Sequence, residues 1–173
     1  QTGLAQKGGA VVSDLKVTAE PVEQAPKLAA GECDLYLACD ALVGADAANL
    51  GVADPARTIA VVSTTEVPTG RMVVDTTVSF PDPGSVLALL EAAAERTVSL
   101  DARGLAEEFF DDDQFANVLQ LGAAYQTGAI PLPASVIERA FFDKSKELHP
   151  DRFANAPAAE RVAALSRSRA LND

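Results

Sequence analysis

The stretch Thr58-Ile59-Ala60-Val61-Val62-Ser63 constrains the fold more than any other part of the chain. A strand with one wet face alternates apolar and polar side chains. A continuous apolar run of this length belongs to a strand covered on both faces. Such a strand needs a layer of helices above and below it. The rest of the chain offers the partners: Cys33 to Ala38 and Thr97 to Leu100 are short apolar runs, and Ala10 to Val17 is Val-rich and alternates in part after the glycine turn Gly8-Gly9. Between them lie segments with helical character. These are Val22 to Ala30 ended by Gly31, the Ala-rich Ala41 to Leu50, Val86 to Arg96, and Phe115 to Gln126 stopped by Gly128. Pro133 to about Leu148 and Pro157 to Leu171 are helical as well. Asp40 follows one strand at its carboxyl end, and Asp101 follows another as a helix cap. Alternation of this kind predicts a three-layer α/β domain with a mostly parallel sheet over about residues 9–130 and a helical carboxyl end. Ligands of such sheets gather at the loops where strands end. The loops after Leu37, after Ser63 and around Gly8-Gly9 are therefore the places to look.

Charge and composition narrow the function classes. The net charge of −11 argues against nucleic acid, because phosphate binding needs clustered Lys and Arg. The charge is also uneven. Residues 1–133 hold seven basic and nineteen acidic side chains, whereas residues from Ala134 onward hold seven basic and six acidic ones. No apolar run approaches the roughly 18 residues of a membrane span. The start Gln1-Thr2-Gly3-Leu4 carries neither an initiator Met nor a signal-peptide pattern, which fits a processed or excised segment, and the cysteine usage reads as a reducing, cytoplasmic compartment. Cys33 and Cys39 are the two cysteines. They are too few for an iron–sulfur cluster or a disulfide framework. Their even spacing predicts two buried thiols on one face of a strand.

Four stretches carry a resemblance to a known family. Thr2-Gly3-Leu4-Ala5-Gln6-Lys7-Gly8-Gly9-Ala10-Val11-Val12-Ser13 is similar to a stretch of fused indolepyruvate:ferredoxin oxidoreductases. Ala30-Gly31-Glu32-Cys33-Asp34-Leu35 through Cys39-Asp40 is similar to a strand of the same family. Arg57 to Gly70, with Glu66-Val67-Pro68-Thr69-Gly70, resembles its Pro-Thr-Gly loop, and Ala116 to Gln126 through Glu138-Arg139-Ala140 resembles its late helical pair. Residues 1–136 thus resemble the gamma-type domain of a 2-oxoacid:ferredoxin oxidoreductase, of the pyruvate and ketoisovalerate group. The resemblance implies an accessory role in oxidative decarboxylation, with thiamine diphosphate and iron–sulfur clusters held elsewhere in the complex. It implies other subunits or domains as direct partners, ferredoxin as an indirect one, and aryl pyruvates such as indolepyruvate as the substrate class.

The family begins with a strand and a Gly-rich turn before the Gly8-Gly9 loop, so the expectation is that the first strand of the sheet is missing. That predicts an unpaired edge at Ala10 to Val17, weakened cover over Val11, Val12, Leu15 and Val17, and a chain that homodimerises or aggregates. From Ile137 the chain departs from the family. Residues 137–173 resemble a partial J-domain of the iron–sulfur assembly type, with His149-Pro150-Asp151 closing a basic helix. This resemblance implies a DnaK-type chaperone as an alternative partner, met by His149, Pro150, Asp151, Lys144, Lys146 and Arg152. A natural fusion, a fragment and a misjoined sequence all fit the junction.

The candidate ligand or interface residues are Gln6, Lys7, Gly8, Gly9, Glu66, Thr69 and Gly70. Backbone amides at Gly8-Gly9 can approach an anion, with Lys7 supplying charge; the loop also reads as a plain tight turn. Glu66, Thr69 and Gly70 sit after a buried strand, where α/β sites form; they also read as a capped, solvated loop. Asp111-Asp112-Asp113 reads as a solvated helix cap rather than a metal site, because hard cations need oxygens converging from separate loops. His149 is the only histidine and has no cysteine at zinc-ligand spacing. No residue set here decarboxylates a 2-oxoacid by itself.

Overall fold

The computed structural model describes residues 11–21, 23, 25–75 and 77–148. The chain divides into two compact units, Gln1–Ile130 and Pro131–Asp173.

The first unit is an α/β domain on a three-stranded parallel sheet. In chain order its elements are β1 (Leu35–Ala38), α1 (Ala41–Gly44), α2 (Ala47–Leu50), β2 (Ile59–Ser63), α3 (Gly70–Val74), α4 (Pro83–Ala92), β3 (Arg96–Leu100), α5 (Ala102–Phe110), a single 3-10 turn (Asp113–Phe115) and α6 (Ala116–Gln126). The apolar run that predicted a strand covered on both faces is the central one, β2. It pairs with β1 from Leu35↔Ile59 to Ala38↔Val62 and with β3 from Ile59↔Arg96 to Ser63↔Leu100.

Side chains alternate across a strand, and helices cover both faces here. On one face Leu90 and Ala94 pack against Ala38, Ala60 and Val62, with Tyr36, Ala41, Ala45, Leu50 and Leu87 around them. On the other face Val61 is fully buried, and α6 lies against β1 and β2. The amino end of β2 is fixed by buried Thr58, whose hydroxyl donates to the Cys33 carbonyl at 2.7 Å and accepts from the Asp54 amide at 2.8 Å.

Several boundaries differ from the sequence reading for identifiable reasons. Residues 11–18 form no strand. Among the described residues no strand runs beside them, and β propensity without a neighbour to pair with does not make a ladder. Lys16 instead pairs with Glu32 at 3.1 Å, and the Asp14 carboxylate accepts from the Leu28 amide at 3.3 Å. Val11, Val12, Leu15 and Val17 are exposed, Leu15 at 82%. The edge expected at Ala10 to Val17 is thus not a strand edge over residues 11–17. Nor do the described residues of Val22 to Ala30 form a helix, because Pro26 removes an amide and clashes with the preceding turn. The stretch Ala41 to Leu50 breaks in two where Asp46 starts α2 by accepting from the Ala48 amide at 2.8 Å. The helix expected from Val86 begins earlier, at Pro83, capped by Asp82, and ends at Ala92, so Arg96 already belongs to β3.

Gly128 stops α6 as expected. Its φ of 81 is the left-handed region in which glycine has no Cβ penalty.

In the second unit the described element is α7 (Ala134–Leu148), which opens with the Val136 amide bonded to the Pro133 carbonyl at 2.9 Å. The expected helix from Pro157 to Leu171 lies outside the described residues.

Candidate functional site at the carboxyl edge of the sheet

The three parallel strands end on one side, and the segments that follow them border an open, shallow cavity of about 280 Å³. Cys39 comes from the end of β1, Ser63, Thr65 and Val67 from β2 and its loop, and Ala102 and Arg103 from the start of α5. The opposite wall is Gln114, Asn117 and Gln120 with Asp113 and Ala116. This is the place where α/β sheets bind ligands.

A hydrogen-bonded seam holds the near wall. The Thr65 hydroxyl donates to Asp101 at 2.7 Å and accepts from Ser63 Oγ at 3.1 Å and from the Arg103 amide at 3.3 Å. Asp101 also caps α5 by accepting from the Gly104 amide at 3.1 Å. That amide first, and then the Thr65 hydroxyl, hold the Asp101 carboxyl below its ordinary range. The folded value is depressed, so the stabilisation is present above the unfolded carboxylate pKa and is lost as pH falls through the folded one. Asp101→Ala is expected to cost about 1 kcal/mol at neutral pH, as for other N-caps. In urea melts, the gap from the parent should close on acidification. A gap that does not depend on pH would show that the ionised form is not the one that caps.

Across the cavity, Arg103 pairs with Asp113 and, at 3.6 Å, with Glu107. These side chains are all at least one-third exposed, so the pairs add little stability. They do leave the arginine charge compensated.

Gln120 is fully buried. Its amide nitrogen donates to the Ala38 carbonyl at 2.8 Å and to the Val61 carbonyl at 3.1 Å, pinning α6 across the ends of β1 and β2. Two carbonyl acceptors fix the orientation of the amide, since its oxygen cannot face them. That oxygen is buried and has no hydrogen-bond partner.

The site residues read from the sequence are only partly brought here. Two of the three loops singled out, those after Leu37 and after Ser63, border the cavity. They do so through Cys39, Thr65 and Val67 rather than through Glu66, Thr69 or Gly70. Those three are exposed; the Thr69 hydroxyl caps α3 by accepting from the Met72 amide at 3.4 Å, and Gly70 begins that helix. Gln6, Lys7, Gly8 and Gly9 lie outside the described residues, as do His149, Pro150, Asp151 and Arg152. Lys144 and Lys146 fall on α7.

The pair of buried thiols is corrected to one. Cys33 is buried, with its thiol donating to the Leu35 carbonyl at 3.0 Å, and burial pushes its pKa up. Cys39 is exposed, because β1 ends at Ala38 and Asp40 already caps α1. Within the acidic triplet, Asp112 does cap the 3-10 turn, Asp113 pairs with Arg103, and Asp111 ends α5 with a left-handed φ of 56.

Residues 1–162 match the family model described as pyruvate ferredoxin/flavodoxin oxidoreductase. The chain belongs to that family. The match runs past Ile137 and includes His149-Pro150-Asp151. Searches among curated proteins and among solved structures found no match.

Enzymes of the pyruvate ferredoxin/flavodoxin oxidoreductase family use thiamine diphosphate and iron–sulfur clusters. The cavity does not fit either group. A cluster takes four thiolates, and the chain has two cysteines, one of them buried and bonded to a carbonyl. Among the described residues no group of three His, Cys, Asp or Glu side chains could hold a metal ion. A diphosphate would meet one arginine already paired with carboxylates. What the lining offers is amides and hydroxyls, which bind and orient.

Proposed function

We propose that this chain is an accessory, non-catalytic domain of a 2-oxoacid:ferredoxin oxidoreductase that acts on aryl pyruvates of the indolepyruvate type. The observation that carries the reading is the family match over residues 1–162 on a domain whose strand-end cavity is lined by amides, hydroxyls and a compensated arginine. Thiamine diphosphate and iron–sulfur centres in partner subunits or domains do the redox chemistry, with ferredoxin downstream of them. This domain supports the assembly, with Gln6, Lys7, Gly8, Gly9, Glu66, Thr69 and Gly70 as the residues that would contact a ligand or a partner. The aryl-pyruvate preference rests on the similarity of Thr2 to Ser13 to fused indolepyruvate enzymes.

The purified chain, given indolepyruvate or pyruvate, thiamine diphosphate, magnesium and a viologen acceptor, is expected to reduce no acceptor. Turnover by the chain alone would place the catalytic centre inside it and end the accessory reading. In the whole complex, a higher kcat/KM for pyruvate than for indolepyruvate would reject the substrate class while leaving the accessory role standing.

One observation favours a second reading. Helix α7 is described as far as Leu148, and His149-Pro150-Asp151 follows it in the sequence, the order in which a co-chaperone helix carries this tripeptide. Stimulation of a DnaK-type ATPase, abolished by His149→Gln, would establish that reading; equal rates with and without the chain would dismiss it.

A further inference from the structure

Helix α6 buries Gln120 and Ala124 on one side, while on its outer side Val118 is 53% and Leu121 48% exposed. A surface helix ordinarily carries charged side chains on its outer face. This one has none, and no residue from Gln114 to Ile137 is charged. Phe115, just before α6, extends the row at the same spacing of three, which keeps the three side chains on one side of the helical segment. Asp111 ends α5 with a left-handed φ, and beyond that reversal the Phe115 ring lies 5.2 Å from the ring of Phe110. Phe110 is itself exposed, as is the neighbouring Phe109. At ~200 Å² for a phenylalanine, the three rings alone leave roughly 300 Å² exposed. That is already the size of the largest apolar patch on many monomers, about 300–600 Å², and patches of this size mark interaction surfaces. The carboxylates of Glu108, Asp111 and Asp112 stand beside these phenylalanines in the chain. Among the described residues none of the three forms an ion pair.

We propose that this patch binds a basic amphipathic helix of a partner protein. Apolar side chains of that helix rest on Phe110, Phe115, Val118 and Leu121, and its Lys or Arg side chains meet Glu108, Asp111 and Asp112. The charge-free centre with a charged rim is the usual layout of a protein interface. The row from Phe115 to Leu121 is about 9 Å long at 1.5 Å per residue. That length matches two turns of an incoming helix with apolar side chains at i, i+3 or i+4, and i+7. A second copy of the chain is the poorer occupant, because it sets acidic rim against acidic rim between chains of net charge −11. Nucleic acid and anionic lipid are repelled on the same ground. The inference concerns the outer side of α6 and does not depend on the proposed oxidoreductase role.

The test is fluorescence anisotropy of labelled peptides titrated with the full chain. The probe is a Leu/Lys peptide patterned to be amphipathic as a helix, and it should bind saturably in the micromolar range. The same peptide with Glu for Lys should not bind, and a scrambled Leu/Lys peptide without an apolar face should bind at least tenfold more weakly. Val118→Gln alters an exposed position and should weaken the probe at least fivefold with an unchanged circular-dichroism melt. Glu108→Lys should weaken it at least tenfold, whereas Glu91→Lys, the same charge change at an exposed position on α4, should weaken it less than twofold. Equal losses from the two charge reversals would reduce the binding to general attraction by an acidic chain and overturn the proposal. So would equal affinity for the scrambled peptide, a Val118→Gln chain that binds as the parent does, or no saturable binding of the probe. Self-association of the parent that Val118→Gln abolishes would give the patch to a second copy instead.

Discussion

Leu90→Ala is expected to destabilise the α/β unit by about 3–4 kcal/mol, within the range for fully buried leucines. Leu90 is 1% exposed and is the largest side chain in its cluster. Its neighbours Ala38 and Ala60 are short side chains fixed on paired strands, so they cannot swing in to fill the space. Gly44 packs beside Ala38 and holds α1 close to the sheet: a Cβ there would sit 2.7 Å from Ala38 Cβ and 3.6 Å from Leu90 Cδ2. A site that cannot collapse keeps most of its cavity, and the cost rises with the volume left behind. Urea denaturation should show a lower midpoint with an unchanged slope, the signature of lost stability rather than of a changed unfolded state. For a chain of this size the melting temperature should fall by roughly 10 °C. A loss below about 1 kcal/mol would mean that this face of the sheet is loosely packed.

Why the sheet was legible and part of its surroundings was not can be traced to particular residues. The run Ile59 to Ser63 carries its own evidence, since only a strand buried on both faces tolerates it, and it proved to be the central strand. Asp101 and Gly128 were readable because capping and left-handed termination are local acts of single residues. Residues 11–18 misled because valine content speaks of a strand only when another strand is there to pair with. For Val22 to Ala30, the helical reading gave too little weight to Pro26.

The cavity was half legible. Its location follows from the rule that ligands sit at strand ends, and the loops after Leu37 and Ser63 do border it. Its chemistry comes from the far side of the sheet. Gln120 is 82 residues from Ala38, to whose carbonyl it bonds, and no local pattern couples two such positions. One signal was available: three amides at positions 114, 117 and 120, the first on the 3-10 turn and the other two on the helix α6 that follows it. The loop residues Glu66, Thr69 and Gly70 drew attention because they match a family motif. The structure gives the cavity contacts of that loop to Thr65 and to Val67, a motif residue whose apolar side chain did not suggest binding chemistry.

The second large effect is expected at Gln120. Gln120→Glu preserves shape and replaces the donating nitrogen by an oxygen that faces the carbonyls of Ala38 and Val61. An ionised carboxylate held there is a buried charge without a partner, comparable to the uncompensated charge left when a buried ion pair loses one member, a change that costs about 3–5 kcal/mol. The protein escapes by keeping the new carboxyl protonated, which raises its folded pKa above the unfolded value. The sign follows from linkage. The folded state then binds more protons than the unfolded state, so the penalty is greatest above the folded pKa and shrinks as pH falls toward the unfolded one. Even when protonated, the carboxyl has one O–H to offer two carbonyls, so some deficit should remain. Gln120→Leu is a useful contrast. It loses both donated bonds, but it also removes the unpartnered oxygen, and its cost should be smaller and independent of pH. Urea midpoints for both variants between neutral pH and about pH 4.5 separate the two effects. Equal, pH-independent losses would show that Gln120 acts through its shape alone, and that the fixed orientation of its amide does not hold α6 to the strand ends.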